Sequence, residues 1–399
     1  MTQENKNIII QTLEDNQENY IAISQAIHAK PEIGNEEYFA SQKLITLLES
    51  EDFIVERAVA GHETDFFATY DSKQPGPTIA FLAEYDALPG IGHACGHNII
   101  GTTSTAAAIA LSKVVHSTGG KIVVLGTPAE EGGPNGSAKG SFANKGLLKG
   151  VDAALMIHPS GKSGLTSETL AVDPLDFHFY GKTAHAAGAP HLGINALDAV
   201  IQLFNGINAL RQQLTSDVRI HGVITHGGEI PNVIPDYASA RFYVRADTWK
   251  KTVETSDKVR KIAEGAALAT GATVKIERFQ NEVKDFVLND ILDNVIREEL
   301  ENAGELVHEK EDGAGKGSTD AGNISYEVPT AHPYIKIGPD DLAGHTHAFR
   351  DAAGSPKGDA ALITGAKVLA KTGYRLLTDK QLLTQVKSAY ELALAKKNA

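Results

Sequence analysis

Residues 78–83 read TIAFLA and residues 121–127 read KIVVLGT, with the small-residue segment TTSTAAAIALSKVV at 102–115 between them. Both apolar runs are short and end at polar segments, which is typical of buried strands. The segment between them is long enough for a helix, and DAALMIH at 152–158 is a third apolar run. Strands that alternate with helices predict an α/β domain with a mostly parallel sheet between helices.

Outside this region, apolar residues at helical spacing predict a helix over residues 7–29, which ends before Pro31, and another over 36–53. The pattern changes at residue 174. Predicted strands at 175–181, 218–228, 237–246 and 272–279 and two helices then follow the order β-α-β-β-α-β. This order is typical of a ferredoxin-like module with an antiparallel sheet. We therefore predict a discontinuous domain of residues 1–173 and 287–399, with an α+β domain of residues 174–286 inserted in it.

The composition limits the possible functions. The 399 residues carry a formal net charge of −13 and one cysteine. The acidic balance argues against a nucleic-acid binder or a protein that binds membrane surfaces. A lone cysteine excludes a disulfide framework and suits a reducing compartment, and there is no apolar run of about 18 residues that predicts a membrane span. We expect a cytoplasmic protein without a signal peptide, because the N-terminal residues lack a basic start followed by an apolar core.

Groups that can bind metal or catalyse a reaction follow the predicted strands. Carboxylates follow the first two strands and an imidazole ends the third, at Glu84, Asp86, Glu130, Glu131 and His158. Because open α/β sheets bind ligands at the carboxyl ends of their strands, these positions predict a metal or catalytic site.

Cys95 lies between His93 and His97 in the segment GHACGH, residues 92–97. Three interpretations fit this pattern: a buried structural thiol, a nucleophile activated by a histidine, or a metal ligand. The spacing of these three residues does not decide among them.

Longer segments resemble a known family. They are FLAEYDALPGIGHACGHN (81–98), GTPAEEGGPNGSAKG (126–140), FYGKTAHAAGAPHLGINALDA (179–199), IPNVIPDYASARFYVRA (230–246) and GSTDAGNISYEVPTAHPYIKIG (317–338). Together they resemble the aminoacylase/carboxypeptidase G family of dinuclear metallopeptidases. The resemblance is closest to the branch of hippurate hydrolases, indole-acetyl-amino-acid hydrolases and aminobenzoyl-glutamate hydrolase, and within it to aminoacylase-like β-alanyl-dipeptide hydrolases. It implies a phosphorylase/hydrolase-like catalytic domain with an inserted lid domain.

The resemblance also implies a set of metal ligands, namely Cys95, His97, Glu131, His158 and His345. His347 is the alternative to His345, because both lie in the segment LAGHTHAF. Glu130 corresponds to the general base, and Asp86 to an acid that supports the ligands from behind. Glu84 stands where more distant members have a metal-binding histidine.

Four residues correspond to positions of the family that contact the substrate. His185 matches a lid histidine that holds the oxyanion, Asn232 matches an asparagine that contacts the substrate, and Gly317 and Ser318 match a loop that binds a carboxylate. Arg241 and Arg245 alternate on one predicted strand and so share a face. Either arginine could meet the substrate carboxylate, or both could be solvated.

The predicted function is a metal-dependent amidohydrolase that cleaves N-acyl amino acids or small dipeptides through a metal-activated water. Two divalent ions per chain are expected. The resemblance favours manganese as the metal, whereas soft ligands favour zinc or cobalt, and nickel is a further option. A dipeptidase for β-alanyl or similar dipeptides is an alternative substrate class. A cysteine-nucleophile hydrolase and a non-catalytic relative that only binds metal or ligand are alternatives of another class. A homodimer that forms through the lid domain is also expected, since the resemblance and an open sheet edge both favour it.

Overall fold

The computed structural model describes residues 3–309 and 317–398. The chain divides into two compact units. Unit 1 contains residues 1–168, 286–316 and 320–399, and unit 2 contains residues 169–285 and 317–319. The domain boundaries predicted from the sequence are 173/174 and 286/287. The segment 317–319, which the sequence pattern assigns to the catalytic domain, lies in unit 2.

The strands of the described residues are β1 Ile54–Arg57, β2 Phe66–Asp71, β3 Thr78–Ala83, β4 Lys121–Gly126, β5 Ala153–Leu155, β6 His158–Ser160, β7 Ser163–Gly164, β8 Ala171–Tyr180, β9 Arg219–His226, β10 Tyr237–Ala246, β11 Thr273–Arg278, β12 Val307–His308, β13 Thr330–Ala331 and β14 Tyr334–Lys336. The α-helices are α1 Gln3–Asp15, α2 Gln17–Ala29, α3 Tyr38–Ser50, α4 His97–Thr118, α5 Ala138–Asn144, α6 Ala196–Leu210, α7 Trp249–Thr270, α8 Asp290–Asn302, α9 Ala321–Ser325, α10 His347–Ala353, α11 Pro356–Thr378 and α12 Lys380–Asn398.

The main sheet of unit 1 has the strand order β1-β2-β4-β3-β5-β13. Strands β4, β3, β5 and β13 are parallel to one another, whereas β1 and β2 are antiparallel to their neighbours. Residues 79–83 of β3 are fully buried, as expected for a central strand covered on both faces. A smaller sheet of unit 1 has the order β12-β7-β14-β6.

The helix α4 crosses the core of unit 1, where it contacts β3 and α11. Its small residues allow a close approach, because a Cβ on Gly101 would lie 2.6 Å from the carbonyl oxygen of Glu84. By length and composition α4 could cross a membrane, but 89% of its most apolar window is buried inside the protein. Its apolar character is therefore that of a core helix.

Unit 2 contains β8, α6, β9, β10, α7 and β11 in that chain order. All strand pairs in its sheet are antiparallel, and the strand order is β11-β8-β10-β9. Phe177, Phe179 and Phe242 are buried among apolar residues of α6 and α7. The predicted fold class is thus confirmed, with a mostly parallel sheet in unit 1 and a ferredoxin-like module in unit 2.

The prediction of one helix over residues 7–29 is wrong in detail. The structure has two helices, Gln3–Asp15 and Gln17–Ala29, which are separated at Asn16. The side chain of Asn16 donates a hydrogen bond to the carbonyl oxygen of Thr12. Asparagine forms such local bonds with the backbone and so favours helix ends.

Candidate metal centre

The segment Cys95–His97 leads into α4, which begins at His97. Gly96 has φ +78°, and a Cβ on this residue would lie 2.4 Å from the Cγ atom of Pro159. Glycine is required here both by the left-handed conformation and by this close approach. The absence of a side chain lets Cys95 lie beside His158, which precedes Pro159 in the chain.

Cys95 and His158 are in contact, with 3.4 Å between Sγ and Nε2. The other ring nitrogen of His158 lies 2.7 Å from the carbonyl oxygen of Pro159, to which it donates. The unprotonated nitrogen of the neutral ring is then Nε2, which faces the thiol. Burial, together with the nearby His332, lowers the pKa of His158 to about 3. The ring is therefore neutral at physiological pH, as metal ligation requires.

His97 is completely buried and is oriented by Asp86, whose Oδ1 atom lies 2.8 Å from Nδ1 of the ring. Burial alone would lower the pKa of His97, but Asp86, Cys95 and Glu84 raise it well above its ordinary value. The Nε2 atom has no hydrogen-bond partner among the described residues. A carboxylate behind a histidine that keeps one nitrogen free is the usual arrangement around a metal-binding imidazole.

The turn that carries Glu130 and Glu131 begins at Ala129, whose φ of +56° is unusual for a residue other than glycine. The backbone N–H of Ala129 donates to Oε1 of the buried Glu37 over 2.9 Å. Burial and the nearby Asp86 raise the pKa of Glu37 to about 7. The sequence analysis did not identify Glu37 as a residue near the site. Its location at the start of a predicted amphipathic helix was only a weak signal.

The structure brings His345 to the centre, with 3.4 Å between its Nε2 atom and Oε2 of Glu131. Its φ is +60°, and its backbone N–H donates to the carbonyl oxygen of Ala94 over 2.9 Å. His347 instead lies beside Arg350, with 3.0 Å between Nδ1 and Nη1. The positive φ of His345 is a strained conformation for a residue other than glycine, and such strain often occurs at functional sites.

Three groups of possible ligand atoms lie at this centre, each with its atoms within 4.8 Å of one another. The groups are Cys95–His97–His158, Cys95–Glu131–His345 and His97–Glu130–Glu131. The first two share Cys95. Buried Nε2 of His97 and Oε1 of Glu131 have no hydrogen-bond partner among the described residues. Thiolate, imidazole and carboxylate donors with free atoms fit divalent transition metals.

The charges of the centre also favour bound cations. Burial and the nearby Glu84 and Glu131 raise the pKa of Glu130 well above its ordinary value. Burial and Glu131 likewise raise the pKa of the Cys95 thiol. Both groups become easier to ionise when a positive charge is present.

A second cluster, which we call the ion cluster, consists of Glu84, Lys139 and Asp320. Nζ of Lys139 lies 2.7 Å from Oε1 of Glu84 and 2.6 Å from Oδ1 of Asp320. Although burial alone raises the pKa of Glu84, Lys139 and His97 lower it to about 2. The sequence analysis missed the role of Lys139 and Asp320, although both lie in segments that carried the family resemblance.

Residues 80–374 match the family described as Peptidase family M20/M25/M40. The chain belongs to this family. It is therefore a hydrolase of the metallopeptidase class, as the sequence analysis predicted.

Two relatives illustrate the range of the M20 peptidases. The chain is 36% identical to the Xaa-Arg dipeptidase of Mus musculus over 387 residues, which cover 94% of this chain and 89% of the relative. It is also 36% identical to a p-aminobenzoyl-glutamate hydrolase protein of Escherichia coli over 323 residues, covering 76% of this chain and 66% of that protein.

The fold is similar to that of a dinuclear metal-binding peptidase of the M20 family from Bacillus subtilis. The TM-score is 0.63 at 21% identity, over 90% of this chain and 98% of that structure. At this identity, the similarity supports the fold.

In unit 2 of this M20 peptidase, His185 is exposed and its segment lies beside that of Asn232, whose carbonyl oxygen accepts the N–H of Ala186 over 3.0 Å. Nδ1 of His185 accepts hydrogen bonds from the backbone N–H groups of Ala187 and Gly188, at 3.2 and 3.0 Å. The proton of the neutral ring is then on Nε2, which can donate to an anionic oxygen.

The two arginines of β10 differ in their partners. Arg241 forms a bidentate ion pair with Asp176, both hydrogen bonds being 2.7 Å, and stacks on Phe279 at 3.9 Å. Arg245 instead donates to Oγ of Ser318 at 3.0 Å and to Nε2 of His221 at 3.1 Å. Among the described residues Arg245 has no carboxylate partner, so it is the arginine that remains available for an anion.

Gly317 and Ser318 thus belong to the surroundings of Arg245. The carbonyl oxygen of Gly317 accepts the backbone N–H of Leu170 over 2.8 Å, which fixes this segment in unit 2. The sequence pattern could not distinguish Arg241 from Arg245, because both lie on the same face of β10.

Proposed function

We propose that this M20 peptidase hydrolyses the amide bond of N-acyl amino acids or small dipeptides whose leaving amino acid has a free carboxylate. The observation that carries this proposal is the pair of ligand groups that share Cys95, with the carboxylate of Glu130 beside them in a third group with His97 and Glu131. In this assignment Cys95, His97, Glu131, His158 and His345 would hold two divalent ions.

Bound divalent ions would supply Lewis acidity and lower the pKa of the attacking water. Glu130 takes the proton of that water and then delivers it to the leaving amine. Its location supports this role, because its Oε2 atom lies 3.9 Å from Nε2 of His97 and its side chain is mostly buried. Asp86 keeps His97 and Glu131 in place.

Residues of unit 2 bind the substrate. His185 donates from Nε2 to the oxyanion that develops on the cleaved carbonyl, and Asn232 contacts the substrate. Arg245, with Gly317 and Ser318, binds the free carboxylate, since an arginine without an anionic partner is suited to a carboxylate.

Small dipeptides and N-acyl amino acids are both proposed, because one relative is a Xaa-Arg dipeptidase and another is named for the hydrolysis of p-aminobenzoyl-glutamate. Dipeptides with β-alanine or a similar unusual residue are the alternative within this class. Manganese is the proposed metal on the family resemblance, and zinc, cobalt and nickel are the alternatives, since the sulfur and nitrogen donors suit softer ions.

A cysteine nucleophile is less favourable. Burial and Glu131 raise the pKa of Cys95, whereas a nucleophilic thiol needs a lowered pKa. The neighbouring His158 has a pKa of about 3 and is not a cation near pH 7. His97, a possible base for the thiol, lowers the pKa of Cys95, but by less than burial and Glu131 raise it.

The proposed assembly is a homodimer that forms through unit 2. Strand β9 is at the edge of its sheet, and Val223 and Ile224 on this strand are 60% and 45% exposed. An exposed apolar edge strand favours pairing with another chain. Val223→Lys should then shift the mass measured by light scattering from dimer to monomer.

A cytoplasmic location is proposed because Cys95 must remain reduced to bind metal.

The function is tested by screening N-acyl amino acids and dipeptides with Mn²⁺-loaded protein. We expect hydrolysis of substrates with a free carboxylate, loss of activity on chelation, and restoration by Mn²⁺ or Zn²⁺. Two equivalents of metal should be bound, and Cys95→Ser should weaken metal binding, because a neutral alcohol replaces a thiolate. Activity that persists in a protein freed of metal would exclude the proposal.

A further inference from the structure

The ion cluster places three charges where water does not reach. Glu84 and Lys139 have no exposed surface as residues, and Asp320 is 1% exposed. Buried ion pairs often add little to stability, because desolvation of the ions offsets their attraction. Stability alone therefore does not account for a lysine and two carboxylates beside the metal centre.

The surroundings of Lys139 resemble a cation site. Carboxylate oxygens of Glu84, Glu130 and Asp320 lie within 4.8 Å of one another. Three carboxylates at this spacing could chelate a hard divalent ion such as Mn²⁺. The cation already present is the Lys139 ammonium, which contacts Glu84 and Asp320 at 2.7 and 2.6 Å.

Glu84 is also close enough to join the metal centre. Its Oε2 atom lies 3.4 Å from Nε2 of His97. Metal–ligand bonds of about 2.1 Å place two ligand atoms on one tetrahedral ion about 3.4 Å apart. The other oxygen of Glu84 is held by Lys139, and the backbone N–H of Lys139 fixes Asp320 through a 3.1 Å hydrogen bond to Oδ2.

We propose that Lys139 is a positioning residue that keeps Glu130 free of metal. Its ammonium occupies the place that a third divalent ion would take among the three carboxylates. Glu84 and Asp320 remain paired with Lys139, and Glu130 remains able to exchange a proton. This inference rests on the proposed two-metal function, which the experiment below tests separately.

The experiment measures Mn²⁺ binding by equilibrium dialysis in the full chain. The wild type should bind two equivalents, and Lys139→Gln should bind a third. Raising Mn²⁺ beyond two equivalents should leave the wild type active and inhibit Lys139→Gln, because the third ion engages Glu130. Lys149→Gln, at an exposed lysine, removes the same charge away from the cluster and should behave as the wild type.

The double variant Lys139→Gln/Asp320→Asn separates this role from a structural one. Removal of one of the three carboxylates should restore binding to two equivalents and abolish the inhibition by excess Mn²⁺. A purely structural role of Lys139 predicts that the second substitution changes stability, because it removes an unpaired buried carboxylate, while both variants bind two equivalents of Mn²⁺. A folded Lys139→Gln that binds no more Mn²⁺ than the wild type overturns the inference.

Folding of Lys139→Gln is itself informative, because a divalent ion should replace the missing ammonium. If the variant is unfolded without metal, added Mn²⁺ should restore its circular dichroism spectrum and thermal transition. Failure to fold at any Mn²⁺ concentration overturns the inference. A wild type that binds no divalent ion contradicts the proposed function instead.

Discussion

The backbone N–H of Glu131 donates a 3.0 Å hydrogen bond to Oδ2 of Asp86, although the two residues are 45 positions apart in the chain. The other oxygen of Asp86 lies 2.8 Å from Nδ1 of His97. The buried carboxylate of Asp86 thus orients two proposed ligands: Glu131 through its backbone N–H and His97 through its imidazole ring.

Asp86→Asn should weaken metal binding by about 10–100-fold, since partners behind a ligand contribute on this scale. The amide oxygen can accept one of the two hydrogen bonds that the carboxylate accepts, but the amide NH2 group cannot accept the other. Titration against a competing chelator measures the affinity. Asp65 is also buried and also accepts backbone N–H groups, from Ala60 and His62. Asp65→Asn should reduce stability but not metal affinity, and equal loss of affinity in both variants would contradict the assignment of Asp86.

Glu130→Gln should retain both metals and lose about 3–5 kcal/mol of transition-state stabilisation, mostly in kcat. The amide is nearly the same shape as the carboxylate but cannot take the proton of the attacking water. Glu131→Gln should instead lose metal together with activity. Metal content and steady-state kinetics of both variants check this. Activity of Glu130→Gln within tenfold of the wild type would refute its role as general base.

Arg245→Ala should raise KM by about 10–100-fold for substrates with a free carboxylate, because a hydrogen-bonded charge pair is lost. Substrates whose carboxylate is converted to an amide should show little change. Arg241→Ala is the matched control on the same strand. It leaves Asp176 without its bidentate partner and should lower the melting temperature while KM stays near that of the wild type. The opposite pattern would assign the carboxylate to Arg241.

His185→Ala should lower kcat by about 10²–10³ without loss of metal, as is typical when one oxyanion donor is removed. His191, an exposed histidine of the same segment, offers the control His191→Ala, which should remain active.

Mixing His185→Ala with Glu130→Gln protomers then distinguishes two arrangements in a dimer. Recovery of activity indicates that His185 acts in the partner's site, and no recovery despite protomer exchange indicates its own site.

His93 predicts a pH dependence of the metal-free protein. Burial, with the nearby His97 and His28, lowers its pKa to about 3, compared with about 6.5 in the unfolded chain. Between these values only the unfolded state binds the proton, so acidification favours unfolding. As the pH is lowered from about 6.5 to 3, the unfolding free energy of the wild type should decrease relative to that of His93→Leu. The decrease should be up to about 1.4 kcal/mol per pH unit. Urea denaturation across this range measures it, and a difference that is constant with pH contradicts the buried, neutral His93.

The sequence predicted those features that depend on local pattern. Strand β3 is confirmed at residues 78–83, because a short apolar run between polar segments has few other structures available. The ferredoxin-like order of unit 2 followed from strand and helix signals of ordinary length. The roles of individual site residues, from Cys95 to His345, remain predictions, although the structure brings the proposed ligands together.

Features that depend on distant partners could not be predicted. Lys139 and Asp320 are 181 positions apart, and nothing in either segment indicates the other. Glu37 meets Ala129 across 92 positions. Arg241 and Arg245 have the same local pattern, and only the location of Asp176 on β8 distinguishes them. Buried polar pairs are selected by tertiary structure, which single-sequence patterns do not contain.

The insertion of unit 2 also has a consequence for the order in which the protein forms on the ribosome. All four strands of unit 2 lie between residues 171 and 278, so its sheet is complete as soon as that stretch has emerged. The main sheet of unit 1 instead needs β13, at Thr330–Ala331, to pair with β5, at Ala153–Leu155. Because domains generally fold as units during synthesis, we expect the inserted module to fold first. The main sheet of unit 1 then remains incomplete, and its apolar strands remain accessible to chaperones, until the last quarter of the chain is translated.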